Sequence, residues 1–393
     1  MLNKIKLLDL YKLSIFVIGI SSMYPWFFLR ISSAYFALWG AVLSWWLYKK
    51  RPDLFYSDIK LRFPLFFLFV VLFWNGLHAS IIGFVEIVFT FIILFFLINT
   101  KSEVKSELIQ FVTKYFAIGI LISLIYYILW LLGIELPNTN GSHPQGYTFV
   151  NYYLMTIKDV FEGGIMVPRF QSVFLEPGHL TMGIIPTICM NRFDLRNKYV
   201  TILFIAQLFT LSLAGYVCLF ALALICIFKT TPIRFLGVTS IILLTVYCGQ
   251  LSFKSSKYEG TVIYDMIIAR AINYGDNGQI MGNRFKDNTL KAYNNLMESS
   301  DAFWGFGLSE EGQKAQDGSS GYKVYIVLYG IIGILLLTCF YLSYLYRFQS
   351  IWGLQMLLIY ILLFLQNSYP FWFVVVFSYI LALPYFSREK LKL

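Results

Sequence analysis

Charge is scarce in this chain. Asp, Glu, Lys and Arg together make up 13 % of its 393 residues, against 58 % apolar and 19 % aromatic. No soluble domain needs that much apolar surface, so the composition excludes an ordinary water-soluble enzyme and points to a polytopic membrane protein. Cysteine is equally thin. The five residues Cys189, Cys218, Cys226, Cys248 and Cys339 all lie in or at the ends of apolar segments, and none sits in a large loop. That leaves neither a disulfide framework nor a zinc site. A small-residue cleavage site is missing after the first apolar run, so the N-terminal segment reads as a retained first helix. There is no internal repeat, and the only biased stretch is 308–321 (LSEEGQKAQDGSSG), which is polar, Gly/Ser-rich and reads as a mobile segment.

What the chain has instead is a series of apolar runs. A transmembrane helix needs about 20 mostly apolar residues. Twelve segments qualify: 10–29, 31–48, 63–79, 81–99, 109–133, 178–191, 199–213, 215–229, 235–250, 323–346, 351–367 and 370–386. The pair 199–213 and 215–229 forms one run with a break at Leu213-Ala214-Gly215, and a single long helix is the alternative. The basic residues favour the break. With twelve spans and both termini cytoplasmic, 20 of the 31 Lys and Arg residues fall in or beside short cytoplasmic loops, and the short outer loops carry only Arg30. That is the positive-inside pattern. A single helix over 199–229 would put the basic C-terminus outside.

The two large loops then face outward, and both are net acidic. Segment 135–177 holds two basic and four acidic residues; 250–322 holds seven basic and nine acidic. The net charge of +10 therefore belongs to the cytoplasmic face, where it meets anionic lipid. Nucleic-acid binding has no support. Both loops contain amphipathic stretches at near-helical spacing: Leu154, Ile157 and Phe161; Ile263, Met266, Ile267 and Arg270; Leu290, Tyr293 and Met297. Such helices can lie on the membrane surface or cap a cavity among the spans.

Arginine stands out in these acidic loops. Arg169, Arg270 and Arg284 are the only three there. A guanidinium stays charged and offers forked donors that match phosphate oxygens; the ordinary alternative is an ion pair with Asp159, Glu162 or Asp287. Glu176-Pro177-Gly178-His179 opens the sixth span, with proline in the first helical turn and the carboxylate near the positive end of the helix dipole. Glu176 reads as a general base or acceptor-orienting group, or as a plain capping residue; His179 shares that role or is a simple hydrogen-bonding residue. Trp304-Gly305-Phe306-Gly307 is a turn whose glycines let backbone amides approach a ligand, although Gly-x-Gly turns are common. Within the spans, Asn75, His78, Glu86, Lys114, Gln207, Gln355, Gln366 and Asn367 are polar; His78, Glu86 and Lys114 also fit interfacial positions.

Across roughly 165–340 these elements, in this order, resemble the O-antigen polymerase and O-antigen ligase superfamily. Arg169-Phe170 followed by Phe174-x-Glu176-Pro177 is similar to the arginine and Glu-Pro segment of the polymerases. Leu211-Ser212-Leu213-Ala214-Gly215 falls where the family breaks a helix pair, although the arginine of the family's turn is absent. Arg284 lies twenty-one residues before Gly305, like the arginine preceding the family's Phe-Gly-x-Gly element. Gly330-Ile331-Ile332-Gly333 is similar to the Gly-Leu-Leu-Gly that opens the next span. Ser319-Ser320 stands where ligases carry a His-Asn pair, so the chain looks like a Wzy-type polymerase rather than a ligase.

The resemblance implies a metal-independent glycosyltransferase without a cofactor. Its donor would be an undecaprenyl-diphosphate-linked oligosaccharide, used at the periplasmic face of the bacterial inner membrane. Arg169, Arg284 and Arg270 would hold the diphosphate, Glu176 and His179 would act on the acceptor hydroxyl, and Gly305 and Gly307 would support the site. Membrane lipids and a chain-length-regulating protein are the other partners implied. The expected architecture is all-α, with about twelve transmembrane helices and two large periplasmic loops containing short amphipathic helices. Its parts are spans 1–5 (1–134), the first loop (135–177), spans 6–9 (178–250), the second loop (251–322), and spans 10–12 with the tail (323–393). A ligase, and a lipid-linked oligosaccharide transporter, are the alternatives. A transporter would place charges deep in several spans, which this chain does not.

Overall fold

A computed structural model describes residues 7–56, 61–142, 148–158, 169–227, 287–316, 321–348, 350–366 and 372–386. It is mostly helical. The first five helices are α1 (Leu7–Ser21), α2 (Ser33–Lys50), α3 (Arg62–Leu77), α4 (Ile81–Asn99) and α5 (Ser102–Leu131). A small sheet follows, of strands β1 (Thr139–Ser142), β2 (Thr148–Asn151) and β3 (Thr156–Lys158). Then come α6 (Pro177–Met190), α7 (Lys198–Phe209), α8 (Leu213–Ile227), α9 (Asp287–Glu298), α10 (Glu310–Gln316), α11 (Tyr322–Phe348), α12 (Ile351–Gln366) and α13 (Phe373–Phe386). Span 235–250 and the stretch Ile263 to Arg270 lie outside the described residues.

Each of the other eleven apolar runs coincides with a helix, but among the described residues only α4, α5 and α11 are long and apolar enough to cross a membrane. The rest are shorter. At about 1.5 Å per residue, α6 and α7 fall well below the roughly 30 Å of a hydrocarbon core. The surface shows where lipid would lie. Phe63, Phe66, Phe69 and Phe73 form one exposed stripe along α3, and Ile81, Ile82, Val85 and Val88 line an exposed face of α4. Contiguous aromatic and aliphatic faces of that kind are not left bare in water.

At the centre are α6 and α13. Leu180 to Met190 is buried throughout, as is Trp372 to Pro384. A helix that is apolar on every side is stable only when surrounded, and α13 is packed by α1, α4, α5, α6, α11 and α12. On the same pattern α2 packs on α4, α3 on α11, α5 on α7, and α8 on α12.

Three expectations change. The stretch at Leu154 and Ile157 is not a helix: Thr156–Lys158 pairs antiparallel with β2, which pairs with β1, so the protein is not purely α. Phe161 lies outside the described residues. Over so short a stretch, apolar spacing of three fits a strand flanked by a turn as well as a helix. Second, part of the polar segment 308–321 is ordered as α10, tied to α9 by the Thr289 hydroxyl donating to Ala315 O at 2.9 Å. Third, α9 forms where Leu290, Tyr293 and Met297 suggest, but it buries Thr289, Ala292 and Leu296, while Met297 is exposed. Its inner face packs against Ala315, Ile326 and Val327 in a second, smaller core.

The helix α11 is broken at Gly330, whose φ of 66° and ψ of −174° are outside the helical region and open only to glycine. Gly330-Ile331-Ile332-Gly333 therefore begins the longer limb of this helix. The carbonyls just before the break are taken up from outside: Phe306 N–H donates to Val327 O at 2.7 Å and Gly307 N–H to Leu328 O at 3.0 Å. The Trp74 indole donates to Tyr329 O at 2.9 Å. A Cβ on Gly330 would stand 2.7 Å from Gly305 N and closer still to Phe303 O. Gly330→Ala is expected to lower stability by roughly 2 kcal/mol or more, read as the thermal unfolding midpoint in detergent. Gly119→Ala in α5, where a Cβ meets nothing within 4 Å, is the control and should hold or gain stability. Equal midpoints for the two variants would contradict this account of the kink.

Candidate functional site

The short helices α6 and α7 are completed by irregular chain. Segment 169–176 enters among the helices with Phe170, Gln171, Ser172, Phe174 and Leu175 buried. Backbone at that depth survives only if its polar groups are met by protein, and they are. Thr156 N–H donates to Ser172 O at 2.6 Å and its hydroxyl to Phe174 O at 2.6 Å, while Gln171 Nε2 donates to the Thr156 hydroxyl at 3.0 Å. Ser172 Oγ donates to Ser123 Oγ at 2.8 Å, and Ser123 in turn donates to Leu154 O at 2.5 Å. Trp26 N–H donates to Val173 O at 2.9 Å, beside an antiparallel bridge between Pro25 and Phe174.

Arg169 begins this strap, and its place is specific. Phe170 N–H donates to Phe209 O at 3.1 Å, and Arg169 Nε donates to Thr210 O at 3.2 Å. Both are carbonyls at the C-terminal end of α7, where a cation is favoured by the helix dipole. The break between α7 and α8 is real but falls at Thr210 to Ser212, slightly before Leu213-Ala214-Gly215. The structure thus brings the arginine motif and the helix-break motif, some forty residues apart in sequence, into direct contact.

A buried polar cluster ties that break to the start of α6. Gln207 Nε2 donates to Thr181 Oγ1 at 3.1 Å and to Thr210 Oγ1 at 2.7 Å, and Thr181 donates to Pro177 O at 2.9 Å. Gly215 makes the fit possible, since a Cβ there would overlap the Gln207 amide and lie 3.3 Å from Thr181 Cγ2. Glu176 is the extended N-cap residue of α6, half-buried, with Pro177 following. Its carboxylate makes no capping hydrogen bond to the helix it starts. His179, one turn on, sits in a ring cluster 5.8 Å from Tyr24 and 5.0 Å from Trp372, which are 5.7 Å from each other.

Four of the six non-glycine residues at positive φ among the described residues lie around this strap, the other two, Arg192 (56°) and Phe193 (54°), following the far end of α6. Tyr24 (55°), Ser172 (55°), Leu211 (46°) and Tyr153 (65°) all belong to it or to segments bonded to it; Tyr153 O, for instance, accepts from the Trp26 indole at 3.1 Å. Each such residue costs of order 1–3 kcal/mol, and they persist where surrounding structure holds them, often at working sites.

Arg169, Glu176 and His179 thus share one end of the bundle. Arg270 and Arg284 lie outside the described residues. Gly305 and Gly307 are at φ 83° and 54° and belong to the α11 break beside α3, where Gly307 faces His78. The amides of Phe306 and Gly307 are used on α11 carbonyls, so this turn is a structural clasp, not the open amide cradle its sequence suggests. Of the polar groups within the helices, Ser33 Oγ donates to Glu86 at 2.6 Å, linking α2 and α4, and Tyr325 donates to Asn75 at 3.4 Å, linking α11 and α3.

Sequence reasoning missed Tyr24, Trp372, Ser123 and Thr210 as neighbours of the site. The one signal available was Gln207-x-x-Thr210-x-Ser212, a polar interruption of an apolar run. No protein-family model, no curated protein and no solved structure matches this chain.

Gly215→Ala is expected to destabilise the junction by roughly 1–3 kcal/mol, the usual cost of overpacking a tight contact. Thermal unfolding in detergent reads it; an unchanged midpoint would mean that the α6, α7 and α8 ends are not locked as described.

Proposed function

We propose that this chain is a membrane-embedded polysaccharide polymerase, transferring a growing glycan from an undecaprenyl diphosphate onto the next lipid-linked repeat unit. The observation that carries the reading is the convergence of Arg169, Glu176 and His179 at one end of an apolar bundle, through the contact of Arg169 with the α7–α8 break. On this reading the chain crosses the bacterial inner membrane twelve times with both termini cytoplasmic, and that end is periplasmic. The scarcity of charge, the positive-inside pattern and the ordered resemblance of residues 165–340 to O-antigen polymerases support it.

In the reaction, the acceptor hydroxyl attacks the anomeric carbon of the donor sugar. The bond from that carbon to the diphosphate oxygen breaks, and the lipid diphosphate leaves with the bonding electron pair. The guanidinium of Arg169, with Arg284 and Arg270 from the second loop, stabilises the charge that builds on the diphosphate. Glu176 accepts the hydroxyl proton, with His179 as the other base within the same turn. The donor arrives already activated, so no nucleotide-sugar site is required.

Arg169→Lys keeps the charge and loses the fork. It is expected to reduce glycan transfer on the order of a hundredfold, read as polymer length on a gel with equal protein in the membrane. Normal polymer would remove Arg169 from diphosphate recognition. In a strain lacking the chain, single repeat units should accumulate on lipid carrier at the outer face. Finished polymer left unattached to its lipid core would instead indicate a ligase, and units trapped at the cytoplasmic face a transporter.

A further inference from the structure

Beside the broken helix α11 lies an apolar edge that the candidate site does not use. In the link between α9 and α10, Phe303 and Trp304 are 59 % and 56 % exposed, and Leu308 is exposed as well. The helices on either side show the opposite character: Lys291, Asn294 and Glu298 are exposed on α9, and Glu311 and Lys314 on α10. An apolar edge set between polar faces calls for a partner other than water.

Its neighbours identify that partner. The Trp304 ring lies 5.3 Å from the Trp74 ring, and a Cβ on Gly307 would stand 2.8 Å from His78 Cδ2. The edge therefore touches the last turn of α3 at two points. That turn ends the exposed phenylalanine stripe of α3, which Leu77 continues at i+4 spacing, and Ile81, opening α4 just beyond, is 86 % exposed. The edge is thus continuous with the faces that meet lipid. Its height matches too. α4 has 19 residues, and the limb of α11 from Ile331 to Phe348 has 18 (348 − 331 + 1). Each is about 27–28 Å long, close to the roughly 30 Å of a hydrocarbon core. Both begin beside the edge: Gly330 packs on Phe303 O, and Ser80 caps α4 two residues after His78. The hydrocarbon boundary then falls at the height of Trp304. An indole is favoured at that depth, with its ring among acyl chains and its N–H among headgroups.

We infer that the Phe303-Trp304 edge, with Leu308, inserts into the interfacial layer of the bilayer leaflet at this end of the bundle, so that its partner is phospholipid. Because α9, α10 and the first limb of α11 share one small core, the insertion holds this whole unit at a fixed height over the helices, with its polar faces toward water. The inference requires only that the chain sits in a membrane. It does not depend on the reaction proposed above.

The test places a nitroxide on Phe303→Cys or Leu308→Cys in the full chain, its own five cysteines replaced by alanine, in phosphatidylcholine nanodiscs. Accessibility is read by power saturation with oxygen, which enters lipid, and with a nickel chelate, which stays in water. Glu311→Cys on α10 is the water reference and Phe69→Cys on α3 the lipid reference. Labels at 303 and 308 are expected to show an oxygen-to-nickel ratio severalfold above that of Glu311→Cys and below that of Phe69→Cys. Adding Phe303→Asp should return the ratio at 308 toward the water reference. A ratio at the water reference for both positions would leave the edge facing water, open to a soluble ligand, and overturns the inference. Protection from both reagents overturns it as well, because protein would then cover the edge. An independent reading keeps the native cysteines: phospholipid brominated near its headgroup should quench a smaller fraction of tryptophan emission in Trp304→Phe than in the parent chain. Equal fractions would place Trp304 away from lipid.

Discussion

Irregular backbone inside an apolar bundle must find a hydrogen-bond partner for every carbonyl and amide it exposes, and that requirement shapes this protein. It is met twice by the same device. The end of α7 is closed by Phe170 N–H and Arg169 Nε, and the break in α11 by Phe306 and Gly307 N–H with the Trp74 indole. Without such partners each exposed group would cost of order 1–3 kcal/mol or more. The helices can therefore be short or broken only where a neighbouring loop is committed to them.

On the proposed function, this gives Arg169 a double part. Its Nε holds the C-terminal end of α7, which fixes the stem of the side chain and so fixes where the guanidinium sits. A preorganised cation stabilises developing negative charge without reorganising at the moment of reaction. The same strap carries Glu176 at its other end, and Gln207 and Thr181 hold the two helix ends together. Strained residues at Tyr24, Ser172 and Leu211 mark where the packing overrides local preference to keep that spacing.

The glycine turn before α10 works differently from what its sequence suggests. Trp304-Gly305-Phe306-Gly307 has the glycines of a ligand cradle, yet Gly305 and Gly330 lie against each other because both must be free of a Cβ. The pair joins α9, α10 and the first limb of α11 into a small core of their own. The kink at Gly330 also sets the direction of the longer limb of α11, which lines an apolar cavity together with α6, α12 and α13.

Much of this was legible beforehand. The apolar runs located helices at all eleven positions that fall among the described residues, the basic residues argued for the α7–α8 break, and the Glu-Pro-Gly-His start of α6 was read in place. Segment 156–158 and the inner face of α9 were misread because three or four apolar residues fit more than one period. Composition and the placement of charge, then, determine by themselves that the chain forms apolar helices suited to lipid, since local residue content fixes how much apolar surface must leave water. That Arg169 meets Thr210, that His179 meets Trp372, and that the Gly305 turn serves a helix kink were decided only in three dimensions. Hydrogen bonds and close contacts of this kind join residues far apart in sequence, and no local pattern encodes which distant carbonyl will need a donor.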